Sequence, residues 1–329
     1  MLSVVVIAIV IALLFDFLNG MNDAANSIAT VVSTKVLPPF FAVLWAAFFN
    51  FAALFFFGVH VATTIGKGIV DPAIINEFVI LSALIGSVIW VFTCTQMGLP
   101  ISVSHALIGG LIGPALVVGG KSALISAGIL KVTLFIVLSP LIGLLLGYLI
   151  MILTMFIFRR TAPMKVDHLF RGLQLLSSAV FSIGHGSNDA QKTMGIISIL
   201  LFSTGRLGPE FFVPTWVIIA SYSAISLGTL IGGWKVIKTL GLSLTDLKPV
   251  HGFSAETAGA ITIIGSSLAG IPVSTTHTIT GSIMGVGMTR RLSAVRWGVA
   301  GRIATAWVLT IPGTIIISAG IYYFISFFI

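Results

Sequence analysis

Residues 17–30 read "FLNGMNDAANSIAT", three asparagines and an aspartate placed just after the apolar run "LSVVVIAIVIALLF" at 2–15. A soluble protein would carry such a polar cluster in a loop, but the surrounding chain is not that of a soluble protein. Of 329 residues, 57% are hydrophobic and 8% charged, and the mean hydropathy is +1.15, the composition of an all-α polytopic membrane protein. Apolar stretches of about 20 residues, enough to cross a hydrocarbon layer of roughly 30 Å, recur along the whole sequence. The run at 2–15 lacks the basic start and small-residue cleavage site of a signal peptide and reads as the first half of a mature helix. The single cysteine, Cys94, cannot form an intrachain disulfide and reads as a packing residue. The net charge of +8 does not point to nucleic acid, because the basic residues gather at the ends of apolar segments, as membrane topology requires.

Working outward from Phe17–Thr30, hydrophobic segments fall at 3–32, 39–59, 76–97, 101–118 and 122–157, then at 172–203, 212–238, 252–269, 272–288 and 297–328. Between the two sets lies the most polar stretch, "RRTAPMKVDHLFR" at 159–171. This predicts repeat 1 over 1–158, a cytoplasmic linker over 159–171 and repeat 2 over 172–329. The halves match in sequence. "NGMNDAANS" (19–27) answers "GHGSNDAQKT" (184–193), "GLPISVSHALIGG" (98–110) answers "GIPVSTTHTITGS" (270–282), and Pro140 answers Pro312 at the same offset. Six Asn and six Asp scattered at random would give roughly 0.1 Asn-Asp dipeptides, so two at matching places argue for duplication.

Five segments per repeat is an odd number, so the second repeat is expected to enter the membrane from the opposite side, the inverted-repeat plan of many secondary transporters. The fourth segment of each half is short, polar at its start and rich in glycine. The third and fourth segments are therefore expected to pair as a re-entrant helical hairpin. A cytoplasmic 159–171 also places Lys35, the Lys235–Lys248 loop and the Arg290–Arg296 cluster inside, and leaves Lys67, Lys121 and Arg206 outside together with both termini.

An aspartate at the centre of a membrane helix costs about 2.5–3.5 kcal/mol, so Asp23 and Asp189 each need a partner, a bound cation or a water-filled cavity. If the chain is helical here, Asp23, Asn26, Ser27, Thr30 and Thr34 share one stripe, and Gly20 and Asn22 are where the helix would unwind to present backbone carbonyls. Carboxylate, amide, hydroxyl and carbonyl oxygens are the ligands of a hard cation such as Na⁺. In the second half Asp189 is followed by Lys192 and Thr193, a Lys standing where the first half has Asn, so the site need not be symmetric. The expected cation or proton-coupling residues are Asp23, Asn26, Asp189, Thr193 and Glu256. For Glu256 a contact between hairpin and scaffold is equally consistent.

"LPISVSH" and "IPVSTTH" have the grammar of a helix start, with Pro and capping hydroxyls ahead of an apolar run. Buried in a membrane, such a start offers an anion unpaired N–H donors, hydroxyls and the positive end of the helix dipole. Ser102, Ser104, Ser274, Thr275 and Thr276, with Asn22 and Asn188, are therefore the expected oxyanion ligands. His105 and His277 follow the hydroxyls, but adjacent helical residues do not face each other, which argues against a Ser/His hydrolase. Each His is expected to pack or hydrogen-bond within its hairpin. His185 reads as structural or as a proton-sensitive neighbour of the site, and Asp16, Lys131 and Arg302 are expected to form at least one buried ion pair.

"GMNDAANS" and "GSNDAQKTMG" resemble the duplicated Gly-x-Asn-Asp signature of the inorganic phosphate transporter (PiT) family, and "LPISVSHALIGG" and "IPVSTTHTITG" resemble its paired Pro-x-Ser-x-x-His stretches. The likeness runs through both halves in order. It implies phosphate transport coupled to Na⁺ or H⁺ on two inverted repeats, often as a homodimer. The family's motif positions fall on Asn22, Asp23, Asn188, Asp189 and the hydroxyls around Ser104 and Thr276. Asn50 stands where eukaryotic relatives have Glu, the connecting loop is shorter than theirs, and "NDAQK" resembles the bacterial branch.

Importing a divalent phosphate against 100 mV, inside negative, costs about 4.6 kcal/mol at about 2.3 kcal/mol per charge. Two cations cancel this and a third lets the potential drive uptake, so two Asp-centred sites fit the minimum. The expectation is a multi-pass transporter of a bacterial or archaeal inner membrane, importing phosphate by cation symport, Na⁺ favoured over H⁺. No cofactor is expected. A permease for sulfate or another oxyanion and a passive anion channel remain as alternatives; no metal-ligand cluster or acid/base pair suggests an enzyme.

Overall fold

The computed structural model describes residues 2–328, apart from the side chains of Leu2 and Lys67. The outward placement expected of Lys67 thus lies outside the described residues. Twelve α-helices account for nearly all of the described chain. The first six are α1 (Leu2–Ser33), α2 (Pro39–Ala52), α3 (His60–Gly68), α4 (Glu77–Met97), α5 (Val103–Gly119) and α6 (Ser126–Phe158). The other six are α7 (Pro163–Ser203), α8 (Thr215–Ile231), α9 (Trp234–Ser243), α10 (Pro249–Leu268), α11 (Thr275–Met288) and α12 (Trp297–Ile325).

Local chemistry sets the ends. Proline opens α2, α7 and α10 at their first positions, where its missing N–H is no loss. Asn76 caps α4 by accepting from the amides of Phe78 and Val79 at 3.0 and 2.9 Å. Five helices are long and apolar enough to cross a membrane, or up to seven if the bent pairs α2–α3 and α8–α9 each count as one span. Long apolar side chains such as Leu134, Leu141, Leu145 and Leu149 on α6, and Val308 and Ile316 on α12, lie exposed for lipid.

Three expectations need correction. The second hydrophobic segment of the second half, 212–238, is not one span, because the chain turns by 69° between α8 and α9 inside it; in the first half the 87° turn falls at the end of 39–59, just before α3. The polar stretch at 159–171 is mostly helical, since α7 begins at Pro163 and continues for 41 residues through the second Asn-Asp motif. Nor does α1 unwind at Gly20, which remains inside a 32-residue helix. Gly20 serves close packing, because a methyl there would stand 2.0 Å from the Ile225 carbonyl oxygen of α8, and one at Gly228 would stand 1.9 Å from the Phe17 carbonyl.

The helix contacts of the two halves mirror one another. α1 packs on α8 and α7 on α2; α4 packs on α1 and α10 on α7. The paired helices α4–α5 and α10–α11 also lean on the opposite half, α5 against α12 and α11 against α6. Both pairs turn at a left-handed glycine, Gly98 (φ 71°) and Gly270 (φ 64°), a backbone conformation costly for a side chain with Cβ. Buried apolar residues form two clusters. One gathers Val5–Leu18 of α1 with parts of α4 and α5 and Ala190–Leu201 of α7; the other gathers Ala25–Ala29 of α1 with parts of α2, α9, α10 and α11. The polar residues 19–27 and 182–193 fall in the region where one cluster gives way to the other, shielded from solvent.

Candidate functional site

The site is built where α1, α7 and the two hairpin turns meet. Asp23 and Asp189 lie at matching positions of α1 and α7 and are 2% and 1% exposed. Thr275, in the first turn of α11, places its hydroxyl 3.2 Å from Asp23 Oδ2 and 3.0 Å from Asp189 Oδ2. A hydroxyl has one proton, so it serves one carboxylate at a time. Thr276 donates to Asp23 Oδ1 at 3.2 Å, and Asn26 Nδ2 donates to Thr276 at 3.0 Å and Thr275 at 3.3 Å.

Two basic groups reach this pair. Lys192 Nζ forms an ion pair with Asp189 and donates to Ser104 Oγ at 2.5 Å and the Val273 carbonyl at 2.9 Å, joining α7 to both hairpins. His185 Nε2 lies 3.2 Å from Asp189 Oδ2 and 3.8 Å from Asp23 Oδ2. Its orientation follows from its partners. Thr229 donates its hydroxyl proton to the Ile225 carbonyl and accepts from Asn50 Nδ2 at 3.0 Å, which turns Asn50 Oδ1 toward His185 Nδ1 at 3.0 Å. Nδ1 therefore carries a proton, and Nε2 faces the two carboxylates. Ligand atoms of Asp23, His185 and Asp189 lie within 4.8 Å of one another, close enough to hold a cation together.

The hairpin tips supply the other half of the site. Ser102 caps α5 by accepting from the His105 amide at 3.3 Å, and Ser274 caps α11 by accepting from the His277 amide at 3.2 Å. A helix start leaves its first amides without intrahelical acceptors, so Val103, Ser104, Thr275 and Thr276 present N–H groups suited to an oxyanion. The two starts touch: the His105 and His277 rings meet edge to face with centroids 4.8 Å apart. His277 also stacks on Trp307 of α12 at 3.8 Å, with Nδ1 3.3 Å from the Ile136 carbonyl of α6. These histidines thus pack between hairpins and onto neighbouring helices, not within one hairpin as expected.

Of the expected residues, the structure brings together Asp23, Asn26, Asp189, Ser104, Thr275 and Thr276, with Ser102 and Ser274 as caps beside them. The amide nitrogens of Asn22 and Asn188 are bonded elsewhere, while their buried Oδ1 atoms have no hydrogen-bond partner among the described residues. Asn22 Nδ2 donates to Thr95 of α4 at 2.7 Å, and Asn188 Nδ2 donates to Ser267 of α10 at 2.9 Å, so each is a strut to its hairpin's first helix. Thr193 lies beside Asp16. Glu256 stands apart, accepting from Thr30 at 2.6 Å, Gln174 at 3.0 Å and Ser177 at 2.5 Å, a contact between α10 and its scaffold. Asp16 is fully buried with neither carboxylate oxygen hydrogen-bonded, while Arg302 is exposed and Lys131 only half-buried. The expected ion pair among these three does not form among the described residues.

Gln174, Ser177 and Gln191 were not legible as functional. Gln191 accepts from the Val61 amide at 2.8 Å and so docks the start of α3 on α7. Its one sequence signal is an uncharged polar residue between Asp189 and Lys192 in a segment that is otherwise membrane-buried. A surface cleft of about 300 Å³ lined by Thr154, Phe158, Asp167 and Lys248 lies away from the site, at the polar end of α6 and α7.

The chain as a whole has counterparts. The model of a family described as "Phosphate transporter family" matches residues 19–318. A Rhizobium meliloti (strain 1021) protein named "Probable low-affinity inorganic phosphate transporter" is 56% identical over 315 residues, covering 96% of this chain and 94% of its own. A Bacillus subtilis (strain 168) protein of the same name is 41% identical over 329 residues, covering 99% and 98%. The solved structure titled "The sodium-dependent phosphate transporter" matches with a TM-score of 0.92 and 27% identity, over 99% of this chain and 100% of that one. The chain, a multi-pass membrane protein and not an enzyme, belongs to the phosphate transporter family.

Proposed function

We propose that this protein imports inorganic phosphate by cation symport, with Na⁺ favoured as the coupling ion, by alternating access around the site of Asp23 and Asp189. The observation that carries the reading is the convergence of two aspartates from matching helices on the paired starts of α5 and α11. Phosphate would lie against the first-turn amides and hydroxyls of those helices, and coupling cations against the carboxylates. Each ion then lowers the cost of holding the other, because an unpaired buried charge is expensive. Side chains of the site are at most 8% exposed, so passage requires movement, and mirrored halves of opposite membrane orientation supply it by rocking against one another. Both termini would then face outward. The structurally similar transporter is described as sodium-dependent, which favours Na⁺ here. The carboxylates also favour phosphate over sulfate, since a protonated phosphate oxygen can donate to Asp23 or Asp189, and sulfate has no such proton at neutral pH.

The test is uptake of labelled phosphate into proteoliposomes, with inward Na⁺ and inward H⁺ gradients imposed separately and unlabelled sulfate as competitor. Concentrative uptake under Na⁺ alone, unaffected by sulfate, is the expected result. Uptake driven only by H⁺ would make the aspartates proton carriers. Strong sulfate competition would move the substrate assignment to oxyanions generally, and flux with no gradient coupling would leave a channel.

A further inference from the structure

The two halves repeat one polar pattern with two changes to a basic residue: Asn19 is answered by His185, and Asn26, three residues after Asp23, by Lys192, three residues after Asp189. Lys192 is 2% exposed. Its ammonium meets the Asp189 carboxylate of α7, the Ser104 hydroxyl of α5 and the Val273 carbonyl of the turn before α11. Carboxylate, hydroxyl and main-chain carbonyl converging on one point is the ligand set a hard cation takes. Here that point already holds a cation, and it belongs to the chain. An ammonium has three donors, and all three are used.

Asp23 is treated differently. Its oxygens accept from Thr275 and Thr276 at 3.2 Å, and its nearest basic atom is His185 Nε2 at 3.8 Å. In place of a charge, Asn26 brings an amide whose Oδ1 has no hydrogen-bond partner. One carboxylate is therefore neutralised from within, while the other retains oxygen ligands for an ion from outside. Two aspartates and a divalent phosphate carry four negative charges in a buried site, so each fixed positive charge there leaves one fewer for mobile ions to neutralise.

Resting on the symport reading above, we propose that Lys192 is a built-in cation filling the second of two matching cation positions, so that one mobile coupling ion fewer accompanies each phosphate than in a chain with an oxygen-bearing side chain there. The first half shows what that side chain is: asparagine. In proteoliposomes, Lys192→Asn is expected to raise the order of phosphate uptake in Na⁺ by one above the wild type. A tenfold fall in Na⁺ below saturation would then slow uptake a further tenfold. Lys192→Met, of similar length and with no oxygen to hold an ion, is expected to lose uptake under every gradient. A Lys192→Asn protein with unchanged cation order and a raised KM for phosphate would overturn the proposal and make Lys192 a phosphate ligand.

A second measurement counts the ions directly. Equilibrium binding of ²²Na⁺ to the purified protein, with phosphate present, is expected to show one more bound Na⁺ in Lys192→Asn than in the wild type. Equal numbers of bound Na⁺ in the two proteins would overturn the proposal. Wild-type protein that fails to concentrate phosphate under either gradient would instead sink the symport reading, before any variant is compared.

Discussion

At the residue scale, side chains of one chemical type divide into those that face the site and those that hold it. Asn22 and Asn26 lie four residues apart on α1, but Asn26 turns to Thr275 and Thr276 while Asn22 reaches Thr95. The sequence shows both as polar residues in a membrane helix; which way each points depends on whether α4 or α11 packs opposite, which spacing along α1 alone does not show. Removing one partner of a buried hydrogen bond costs about 1–3 kcal/mol, chiefly by leaving the other unsatisfied. We expect Asn22→Ala and Thr95→Val each to lower thermal stability in detergent by about that much, and the double variant to lose less than their sum. Additive losses, with Asn22→Ala raising the KM for phosphate, would return Asn22 to the substrate. Glu256 poses the same question with a charge. Its carboxylate accepts from three uncharged donors and has no cation beside it, so Glu256→Gln is expected to cost about 1–3 kcal/mol of stability, because the new amide N–H₂ meets donors. The order of uptake in Na⁺ should not change, and a fall of one would make Glu256 a coupling ligand.

At the element scale, what the sequence made legible were the long apolar helices and the two hairpin starts, because proline, capping serine and a glycine turn are local signals. The break between α8 and α9 was not legible, because hydropathy runs straight across it, whereas the segment 39–59 stops where α3 begins. The start of α3 is held by a distant group, Gln191 of α7, and such a partner leaves no mark in the local sequence. The helical extension of α7 through 163–171 was missed for a related reason: polar composition reads as loop, yet Arg171 pairs with Asp167 one turn earlier and bonds the Lys35 carbonyl. Glycine, by contrast, can be separated by what surrounds it. A methyl at Gly20 would stand 2.0 Å from the Ile225 carbonyl oxygen, and one at Gly172 of α7 would meet nothing within 4 Å. Gly20→Ala must push α1 away from α8 and is expected to cost about 1–3 kcal/mol or more, as overpacking does. Gly172→Ala should be neutral or gain about 0.5–1 kcal/mol from reduced backbone freedom. Thermal unfolding of the two variants in one detergent checks this, and equal stability would mean that the α1–α8 approach is loose.

At the scale of the whole molecule, each hairpin belongs to one half by sequence and packs against the last helix of the other. Small residues carry that exchange. A methyl at Gly281 or Gly285 of α11 would stand 2.1 and 2.0 Å from the Pro140 and Leu144 carbonyl oxygens of α6. At the matching positions of α5, Gly109 and Gly113 would meet the Ile311 and Ile315 carbonyl oxygens of α12 at 2.7 and 2.5 Å. Such spacing at i and i+4 is how membrane helices bring their backbones together without a hydrophobic driving force. A half on its own would therefore expose the glycine-lined face of its hairpin and the buried charges of its Asp-bearing helix to lipid, at about 2.5–3.5 kcal/mol for each charge near the bilayer centre. The connection between halves contributes little by comparison, since residues 159–162 between α6 and α7 are all exposed. Splitting the chain there should thus leave assembly intact: fragments 1–160 and 161–329, expressed together, are expected to copurify and to restore phosphate uptake. Either fragment alone should be degraded or aggregate. A single fragment that purifies as a stable, monodisperse species would mean that its hairpin folds back on its own half, and the exchanged packing would then be a consequence of assembly and not its cause.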